Sequence, residues 1–554
     1  MKYMKTILRS PPVISRGFSN KIILPKIKNI EIPQSSVTDY VWKNLEKWHN
    51  KTALVCGETG RSYSFSDVYT KSDRISNYLG HLSELNKGDT IAIILPNVPE
   101  YALVALGALK AGYKITTINP LFTQDELFNS FRISEPRLIF TLTELWPNVH
   151  QALKQWSTRN IPIITINHSE EVMDCPLGAI KLSDVLENTF PTKAHPHNWK
   201  DVLYLPYSSG TTGLPKCIEL TTENLVTCLH NQSMPQFNFI PPTTDDDQGV
   251  YPIMLPFHHI YGMLALLLNL SLGCKAVTIA RFTQDTFLKV LKKEEPTHCY
   301  LVPPLMNMLA NDARFKPEHL AQIKNIMVGA APTGISDIQR LQEKTKGTVR
   351  IFQAYGLTET TGVAFLQTSA MPGGVKLGGC GVIFPNHECR IESSPDSNYG
   401  HPQSGVLFVR GPQVFKGYLN NPSATNSVLD SEGWLDTGDV GYCDEDGQFF
   451  ITDRVKELIK VKGYQVAPAE LESILRSHPD VEDAAVIGQK HDRFGEVPKA
   501  FVVIKRGNRA NLKSIEEFVA GKASKYKHLL GGISVIDSIP KSASGKILRR
   551  LLKQ

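Results

Sequence analysis

The chain has 554 residues, of which 42% are hydrophobic and 21% are charged, close to the averages for a globular protein. This is enough apolar side chain to bury a large core, so disorder is excluded as the dominant state. Seven of the 60 basic residues lie within residues 1–30, which contain no Asp or Glu, so the remaining chain is close to neutral. A nucleic-acid-binding protein would instead carry basic residues on its folded body.

The basic segment 1–30 is predicted to be a leader. It lacks the long apolar stretch of a secretory signal, and it is Arg- and Ser-containing and free of acids, as mitochondrial transit peptides are. The stretch SRGFS at 15–19 is typical of a processing site. The alternative is a basic tail without an address, which would leave the protein in the cytoplasm. Residues 552–554 are not the peroxisomal tripeptide, which disfavours that organelle.

Two further features exclude classes of protein. The nine cysteines are widely scattered without a CxxC pair, which is typical of reduced thiols rather than of a disulfide framework or a zinc site. The most apolar stretch, residues 260–272, is shorter than the ~18–20 residues that a membrane-spanning helix needs. We interpret it as a buried core segment.

Strand-like and helix-like runs alternate through the first four-fifths of the chain. Residues 90–95 form a short apolar strand candidate, and residues 99–110 follow it as a helical run. The same pattern recurs with strand candidates at 137–141, 161–166 and 324–328. Continuous apolar strands with helices between them favour parallel sheets covered on both faces. We therefore predict an α/β fold with a large domain over residues 31–452.

The character of the sequence changes after residue 447. A charged segment at 453–457 precedes a predicted helix at 468–477 and predicted strands at 484–487 and 500–504. About 100 residues are enough for an independent small domain. We predict a small α+β domain over residues 453–554.

The most unusual local sequence is YSSGTTGLPK at 207–216, which follows a predicted strand at 202–206. Its two glycines allow a sharp turn that presents backbone N–H groups, and hydroxyls and a lysine add further donors, which suits a polyphosphate. It is not a Walker A loop, because the spacing is G-x-x-G-x-x-K and no Ser or Thr follows the lysine. Taken alone, these residues are equally compatible with a surface turn.

The loop resembles the phosphate-binding signature of the adenylate-forming superfamily, which includes acyl-CoA synthetases, 4-coumarate–CoA ligases, firefly-type luciferases and peptide-synthetase adenylation domains. The other segments that match in the expected order are PFHH at 256–259, GAAP at 329–332, YGLTET at 355–360, GWLDTGD at 433–439, residues 453–470, and PKSASGK at 540–546. The resemblance spans essentially residues 35–550 and is greatest to the coumarate–CoA ligase and luciferase branch.

This resemblance implies a fold and a reaction. The fold is a large N-terminal α/β domain of several subdomains with parallel sheets, which binds ATP and the acyl substrate, plus a small mobile C-terminal α+β domain. In the reaction, ATP converts a carboxylic acid into an acyl-adenylate with release of pyrophosphate, and the thiol of coenzyme A then displaces AMP. The implied cofactors are ATP, Mg²⁺ and coenzyme A.

The resemblance also assigns the nucleotide site. Glu359 is implied to bind Mg²⁺, a hard cation that prefers oxygen ligands, and Thr358 to reach the same phosphate. Asp439 and Arg454 are implied to hold the ribose, and Tyr355 to lie along the adenine. The other residues implied to contact the nucleotide are Ser208, Ser209, Gly210, Thr211, Thr212, Gly213, Lys216, Gly329, Ala330, Ala331 and Gly356.

The remaining assignments concern catalysis and coenzyme A. Lys546 is implied to be the adenylation lysine, whose flexible ammonium contacts carboxylate and phosphate oxygens together. His259 is implied to lie beside the acyl site. The small domain is implied to rotate about Lys456 between the two half-reactions. The face presented for the thiol step would carry the catalytic Lys460, followed by Lys462, Gly463, Tyr464 and Gln465.

Each assignment has a plainer alternative in the residues themselves. An isolated Glu is usually a surface residue, an Asp in a Thr-Gly-Asp turn is usually a turn former, and a lone His is usually a core residue. The basic cluster around Lys546 would otherwise be a solvated chain end. The motifs decide against these alternatives for Glu359, Asp439 and Lys546, and for His259 the alternative of a core residue stays open. Two departures, Cys217-Ile218 and Thr221-Thr222 in place of the usual Gly-Val and Thr-His, leave the subgroup open.

The leading functional hypothesis is an acid–thiol ligase for a fatty acid of medium or longer chain, or for an aryl-propenoic acid such as 4-coumarate. One alternative is a luciferase-like monooxygenase that uses the same adenylate with O₂. Another is a catalytically silent binding protein on this scaffold, which the intact motifs disfavour. The expected partner is a small-molecule carboxylic acid, with no nucleic acid and no transmembrane segment; peripheral membrane contact and oligomeric state are left open.

Overall fold

The structure is a computed structural model that describes residues 19–168, 173–192, 198–208, 216–237, 239–370, 373–393, 403–461, 464–491, 493–508, 511–542 and 545–553. Its strands, in chain order, are β1 (Ser19–Ile23), β2 (Thr52–Cys56), β3 (Ser62–Ser64), β4 (Thr90–Ile94), β5 (Lys114–Thr117), β6 (Pro136–Leu142), β7 (Ile163–Ile166), β8 (Ile180–Lys181), β9 (Val202–Leu205), β10 (Tyr207–Ser208), β11 (Lys216–Thr221), β12 (Val250–Ile253), β13 (Lys275–Thr278), β14 (His298–Leu301), β15 (Asn325–Val328), β16 (Arg350–Tyr355), β17 (Phe365–Leu366), β18 (Val382–Ile383), β19 (Glu388–Ser393), β20 (Gly405–Arg410), β21 (Gly417–Tyr418), β22 (Leu435–Cys443), β23 (Phe449–Arg454), β24 (Ile459–Val461), β25 (Tyr464–Val466), β26 (Val481–His491), β27 (Gly495–Ile504) and β28 (Ile533–Val535).

The helices connect these strands and cover the sheets. They are α1 (Val37–Trp42), α2 (Leu45–Trp48), α3 (Phe65–His81), α4 (Pro99–Lys110), α5 (Gln124–Ser134), α6 (Trp146–Trp156), α7 (Leu182–Glu187), α8 (Thr222–Ser233), α9 (Ile260–Ser271), α10 (Gln284–Glu294), α11 (Pro303–Asn311), α12 (Ile335–Lys344), α13 (Pro422–Asn426), α14 (Pro468–Arg476) and α15 (Leu512–Lys522). Short 3₁₀ turns lie at Thr143–Leu145, Pro317–Leu320, Thr358–Thr360, Lys525–Lys527 and Arg549–Leu551.

Three sheets contain the predicted parallel strands. The largest has the order β10-β11-β9-β5-β4-β6-β7-β8, with β21 on β11, and its strands β9-β5-β4-β6-β7-β8 are parallel. The second has the order β12-β13-β2-β3, and the third has the order β14-β15-β16-β17-β18. In each of these two, the first three strands are parallel. The strands are buried because helices cover them, as the continuous apolar runs predicted.

Two further sheets complete the chain. An antiparallel sheet of order β1-β19-β20-β22-β23 ends at Arg454, and the sheet β25-β24-β27-β26, with β28 beside β27, begins at Ile459. We call the part of the chain up to Arg454 the large lobe and the part from Ile459 onward the small lobe. The α/β fold class is confirmed, but the apolar-run pattern did not predict the antiparallel sheet of the large lobe.

The predicted elements recur with small shifts at their ends. The helix predicted at 99–110 is α4, which begins with Pro99 at its first turn, where a proline costs no hydrogen bond. The helix predicted at 468–477 is α14, and the apolar stretch 260–272 contains α9, every residue of which is buried. Among the described residues, no helix has both the length and the apolar character needed to cross a membrane. The nine cysteines are free thiols.

Most of the predicted leader lies outside the described residues, including the 15–19 stretch up to residue 18. Ser19–Ile23 pairs antiparallel with β19 at the edge of a sheet. The Asn386 side chain then exchanges two hydrogen bonds with the backbone of Ile30, at 2.9 and 2.8 Å. The chain from residue 19 onward is therefore attached to the body of the large lobe.

Candidate active site

A buried carboxylate lies where two antiparallel strands of the large lobe face each other. Asp439 in β22 is paired in register with Arg454 at the end of β23, so the two side chains meet, and Arg454 Nε lies 3.1 Å from Asp439 Oδ1. The Tyr355 hydroxyl donates to Asp439 Oδ2 at 2.7 Å. Each carboxylate oxygen has two lone pairs, so one on each oxygen remains for another donor. The residues expected at the ribose and the adenine are thus neighbours.

Burial dominates the electrostatics of this pair. Asp439 is only 3% exposed, and burial raises its pKa, while Arg454 and the Tyr355 hydrogen bond oppose that rise. Burial, followed by the nearby Asp439 charge, raises the pKa of Tyr355 well above its ordinary value. Tyr355 therefore stays protonated and acts as a permanent donor to Asp439.

The YGLTET segment turns back on itself immediately after β16. A Cβ at Gly356 would come within 1.8 Å of the Gly362 carbonyl oxygen, so only glycine fits there. The turn brings Thr358, which is buried, and Glu359 next to β21. The Glu359 backbone oxygen accepts from Phe415 N at 2.9 Å, and its Oε1 accepts from the Tyr418 hydroxyl at 2.8 Å.

The strands on either side of the predicted phosphate loop pair with each other. Ser208 at the end of β10 is paired with Lys216 at the start of β11, so the two ends of the loop are adjacent. The Lys216 ammonium lies 4.6 Å from the centroid of the Tyr418 ring. The loop residues lie outside the described part of the chain, and they include Ser209, Gly210, Thr211, Thr212 and Gly213.

A second small-residue turn follows β15. Ala330 has a φ of 72°, a left-handed conformation that costs a residue with a Cβ about 1 kcal/mol or more. A Cβ on Gly329 would lie 3.3 Å from the Ala354 carbonyl oxygen and 3.7 Å from the Tyr261 ring. Gly329, Ala330 and the half-buried Ala331 therefore form a shallow floor between β16 and the start of α9.

His259 is the N-cap of α9. Its Nδ1 accepts from Tyr261 N at 3.3 Å, so the neutral ring carries its proton on Nε2. Burial, with the charges of Lys546 and His258 adding to it, lowers the pKa of His259 to about 3. The ring is therefore neutral at physiological pH, and its available group is an N–H donor.

Lys546 reaches this site from the small lobe. Its segment is a tight turn in which Ser542 N donates to Lys546 O at 2.8 Å, and Gly545 has a φ of 78°. A Cβ on Gly545 would lie 3.2 Å from both Val302 and Pro304, so the turn rests on the large lobe at the start of α11.

The charge of Lys546 interacts with the groups described above. Burial and Arg454 lower its pKa, and Asp439 and Glu359 oppose that change. The side chain of Lys546 is half-buried. The charge of Lys546 therefore interacts with the charges of both Asp439 and Glu359.

The residues assigned to the thiol step lie elsewhere on the small lobe. Lys460 and Gln465 face each other across the β24–β25 hairpin, and Lys460 is exposed. Within the described residues, neither side chain forms a hydrogen bond or ion pair with Asp439 or Glu359. Lys462 and Gly463, between these two strands, lie outside the described residues.

Tyr418 was not among the residues that the sequence singled out. It connects Glu359 to Lys216, although 59 residues separate it from the first of these. No motif that we recognised includes Tyr418, and a Gly-Tyr pair on its own is typical of an ordinary short strand.

Comparison with known proteins identifies relatives over nearly the whole chain. The model of the family described as AMP-binding enzyme matches residues 41–419, and that of the AMP-binding enzyme C-terminal domain matches residues 470–546. The chain is 36% identical to 4-coumarate–CoA ligase 3 of Oryza sativa subsp. japonica over 95% of this chain and 94% of the relative. It is also 36% identical to 4-coumarate–CoA ligase 1 of Petroselinum crispum over 96% of each chain.

A solved structure shares the fold. The anthranilate CoA ligase AuaEII in complex with anthranoyl-AMP matches with a TM-score of 0.82 and 23% identity, over 94% of this chain and 97% of that one. The shared fold has a large N-terminal and a small C-terminal part.

Proposed function

The chain belongs to the AMP-binding enzyme family and is an ATP-dependent acid–thiol ligase that forms acyl-CoA, and we propose how its residues divide the two half-reactions. The observation that carries the proposal is the packing of the Lys546 turn on the large lobe, where a Cβ on Gly545 would lie 3.2 Å from Val302 and Pro304. The charges of Asp439 and Glu359 influence the pKa of Lys546 in this position. In this arrangement, the small lobe completes a site for a nucleotide and an acid.

In the first half-reaction, a carboxylate oxygen of the acid attacks the α-phosphorus of ATP. The bond from that phosphorus to the bridging oxygen breaks, and pyrophosphate leaves with the bonding electrons. Both reactants are anions, so catalysis consists mainly of alignment and of neutralising charge. Lys546 holds carboxylate and α-phosphate oxygens together, Asp439 and Arg454 hold the ribose, and Tyr355 lies along the adenine.

Lys216 and the loop before it are the proposed binding site of the outer phosphates of ATP. Thr358 lies in the same turn as Glu359. Glu359 is the proposed Mg²⁺ ligand. Tyr418 engages its Oε1, and among the described residues no hydrogen bond engages its Oε2, which fits an oxygen ligand for a hard cation. When bound, Mg²⁺ neutralises the charge that develops on the phosphates.

In the second half-reaction, the sulfur of coenzyme A attacks the acyl carbon, AMP leaves with the bonding electrons, and the thiol proton is released. We place this step on the face that carries Lys460, Lys462, Gly463, Tyr464 and Gln465. Among the described residues, Lys460 forms no hydrogen bond or ion pair with Asp439 or Glu359, so its proposed use in the thiol step goes with a proposed rotation of the small domain. The exposed turn at Lys456, between the last strand of the large lobe and the first of the small lobe, is the proposed hinge, with the domain boundary at residue 453.

The proposed acid is apolar, and its pocket is bordered by α9. Tyr261 flanks the Gly329 turn, and a Cβ on Gly362 would lie 2.7 Å from the Leu264 side chain and 3.6 Å from Ile260. His259 Nε2–H is the donor that meets the entering carboxylate. The relatives named 4-coumarate–CoA ligase favour an aryl-propenoic acid over a fatty acid as the substrate. Aryl-propenoic acids are therefore the first acids to test.

The leader is proposed to direct the protein to mitochondria. Ser19 begins the first strand that pairs with the body, and the predicted processing stretch ends there, so cleavage would leave the fold intact. Fusion of residues 1–30 to a fluorescent protein should direct it to mitochondria, and removal of residues 1–18 from the full chain, which spares β1, should abolish that localisation.

The ligase assignment is tested by pyrophosphate exchange into ATP across a panel of aryl-propenoic and fatty acids. Lys546→Ala should lower exchange about a hundredfold or more, because it removes a charge aimed at the reacting oxygens. It should still convert a presynthesised acyl-adenylate to acyl-CoA. Lys541→Ala is the matched control, since Lys541 lies in the same segment but is paired with Asp483. Equal losses in both variants would contradict the assigned role of Lys546.

A further inference from the structure

Tyr418 lies between Lys216, which is assigned to the phosphates, and Glu359, which is assigned to the metal ion. Its strand β21 pairs with β11, with Tyr418 opposite Ile218. Lys216 lies two residues before Ile218 on the same strand, so its side chain lies on the same face of the sheet as the side chains of Ile218 and Tyr418. Lys216 is therefore the diagonal neighbour of Tyr418, a position within reach of a long side chain. This explains why the ammonium lies 4.6 Å from the ring centroid.

The ring of Tyr418 is held firmly. It is only 7% exposed, and it packs edge-on against Phe415 with centroids 5.0 Å apart. Its backbone N–H donates to Thr425 Oγ1 at 2.9 Å, and the next residue, Leu419, donates to the Cys217 carbonyl at 2.9 Å. A side chain fixed in this way keeps its hydroxyl and its ring face in constant positions.

The hydroxyl of Tyr418 determines the orientation of Glu359. It donates to Oε1 at 2.8 Å, and the hydroxyl is the donor of this hydrogen bond because a carboxylate oxygen accepts. With Oε1 engaged, the carboxylate can rotate little, and among the described residues no hydrogen bond engages Oε2. Hydrogen bonds to a charged group are about twice as strong as those between neutral groups.

The ring also keeps opposite charges apart. An ammonium and a carboxylate this close to one aromatic ring would otherwise pair with each other. Within the described residues, Lys216 and Glu359 form no ion pair, and the ammonium lies over the ring instead. Each group thus keeps its charge available, the cation for phosphate oxygens and the anion for a divalent metal ion.

We propose that Tyr418 is a positioning residue for the metal–nucleotide complex: its hydroxyl orients Glu359 toward the divalent cation, and its ring holds Lys216 toward the phosphates and away from Glu359. This rests on the proposed function, which supplies ATP and Mg²⁺ as the ligands. In this role, Tyr418 acts through Glu359 and Lys216 and contacts neither the acid nor coenzyme A.

Two substitutions separate the hydroxyl from the ring. Tyr418→Phe keeps the ring and removes the hydroxyl, and Tyr418→Leu removes both. Binding of a non-hydrolysable ATP analogue is measured calorimetrically over a range of free Mg²⁺ concentrations and in EDTA, with no acid present. Tyr113→Phe is the control, because its hydroxyl is also buried and donates to the Leu79 carbonyl at 3.2 Å, far along the chain from these residues.

For Tyr418→Phe, we expect the Mg²⁺ concentration that half-saturates the effect on nucleotide binding to rise about fivefold to tenfold. Affinity in EDTA should be unchanged. For Tyr418→Leu, affinity in EDTA should also fall about threefold to fivefold, because the support for Lys216 is lost. The double variant Glu359→Gln/Tyr418→Phe should require no more Mg²⁺ than Glu359→Gln alone, since the hydroxyl acts through that carboxylate.

An unchanged Mg²⁺ requirement in Tyr418→Phe would overturn the proposal, and so would additive effects in the double variant. Thermal unfolding of each variant checks the fold; should Tyr418→Leu fail to fold, the near-isosteric Tyr418→Phe still decides the question. Failure of the proposed function would look different, because the wild-type enzyme would then show no acid-dependent pyrophosphate exchange.

Discussion

Arg476 of the small lobe forms an ion pair with Asp337 of the large lobe, with Nε 3.8 Å from Oδ2, and both side chains are largely buried. Arg340 strengthens the contact from the large lobe, since its Nη2 donates to the Arg476 carbonyl at 3.1 Å. The contact joins α12 to α14. It therefore stabilises the orientation in which the turn that carries Lys546 packs on the large lobe, beside the proposed nucleotide site.

Weakening this contact should change the balance between the half-reactions. Arg476→Met keeps the apolar part of the side chain and removes the charge. We expect pyrophosphate exchange to fall about fivefold, because a partly buried pair of this kind contributes about 1 kcal/mol. Conversion of a presynthesised adenylate to acyl-CoA should be unchanged or faster. Lys513→Met is the control, because its partner Glu517 is 3.9 Å away and both are exposed. Equal loss of both half-reactions in Arg476→Met would argue against this role.

The alkaline limit of adenylate formation should depend on Lys546. Its pKa is lowered by burial and by Arg454, so its ammonium loses its proton at a lower pH than that of an exposed lysine. The charged form is the active one, so kcat/KM for pyrophosphate exchange should fall as the pH rises through this lowered pKa. Lys546→Arg stays charged and should lose the alkaline limit, although its planar head group should lower the maximal rate. An alkaline limit that persists unchanged in Lys546→Arg would assign it to another group.

His259 should act as a neutral donor. Because its pKa is lowered to about 3, protonation of this ring should cause no loss of activity between pH 5 and pH 8. His259→Ala removes the Nε2 donor, so KM for the acid should rise about fivefold to tenfold. It also removes the cap of α9, which should lower the free energy of unfolding by about 1 kcal/mol. His259→Asn restores a cap acceptor and is expected to recover stability without recovering KM. Recovery of both together would mean that the residue acts only as a cap.

Asp439 should recognise the ribose hydroxyls. Asp439→Asn keeps the shape of the side chain but exchanges an acceptor for a donor, so KM for ATP should rise about tenfold. The measurement is a double-mutant-type cycle, in which the binding of ATP and of its 2′-deoxy and 3′-deoxy forms is compared between the wild-type enzyme and the variant. At least one deoxy form should bind as weakly to the variant as to the wild type, because the contact it lacks is already lost. Fully additive losses with both deoxy forms would show that Asp439 does not contact the ribose.

Much of the fold was predictable from the sequence. The helix predicted at 99–110 is present over Pro99–Lys110, because a proline at its start and an unbroken apolar run are local signals. The parallel sheets followed from continuous apolar strands. The antiparallel sheet that contains β22 and β23 did not, since burial along these two strands does not alternate regularly from one residue to the next. Yet this sheet brings Asp439 opposite Arg454.

The candidate site was predictable only through its motifs. Strings such as YGLTET and PKSASGK identify the family because their order along the chain is specific, and this required no coordinates. The contacts that join Tyr418 to Glu359 and Lys216, and Arg476 to Asp337, depend on strand pairing and helix packing between segments far apart in the chain.

The amino-acid sequence by itself determined the family, the α/β class and the residue types available for the chemistry, because glycine turns, apolar periodicity and motif order are properties of neighbouring residues. Only the tertiary structure decided which charges meet. Lys546 is close to Asp439 because the small lobe packs on the large lobe at Gly545 and Arg476. The energy of such packing depends on residues far apart in the chain, so no local stretch of the sequence determines it.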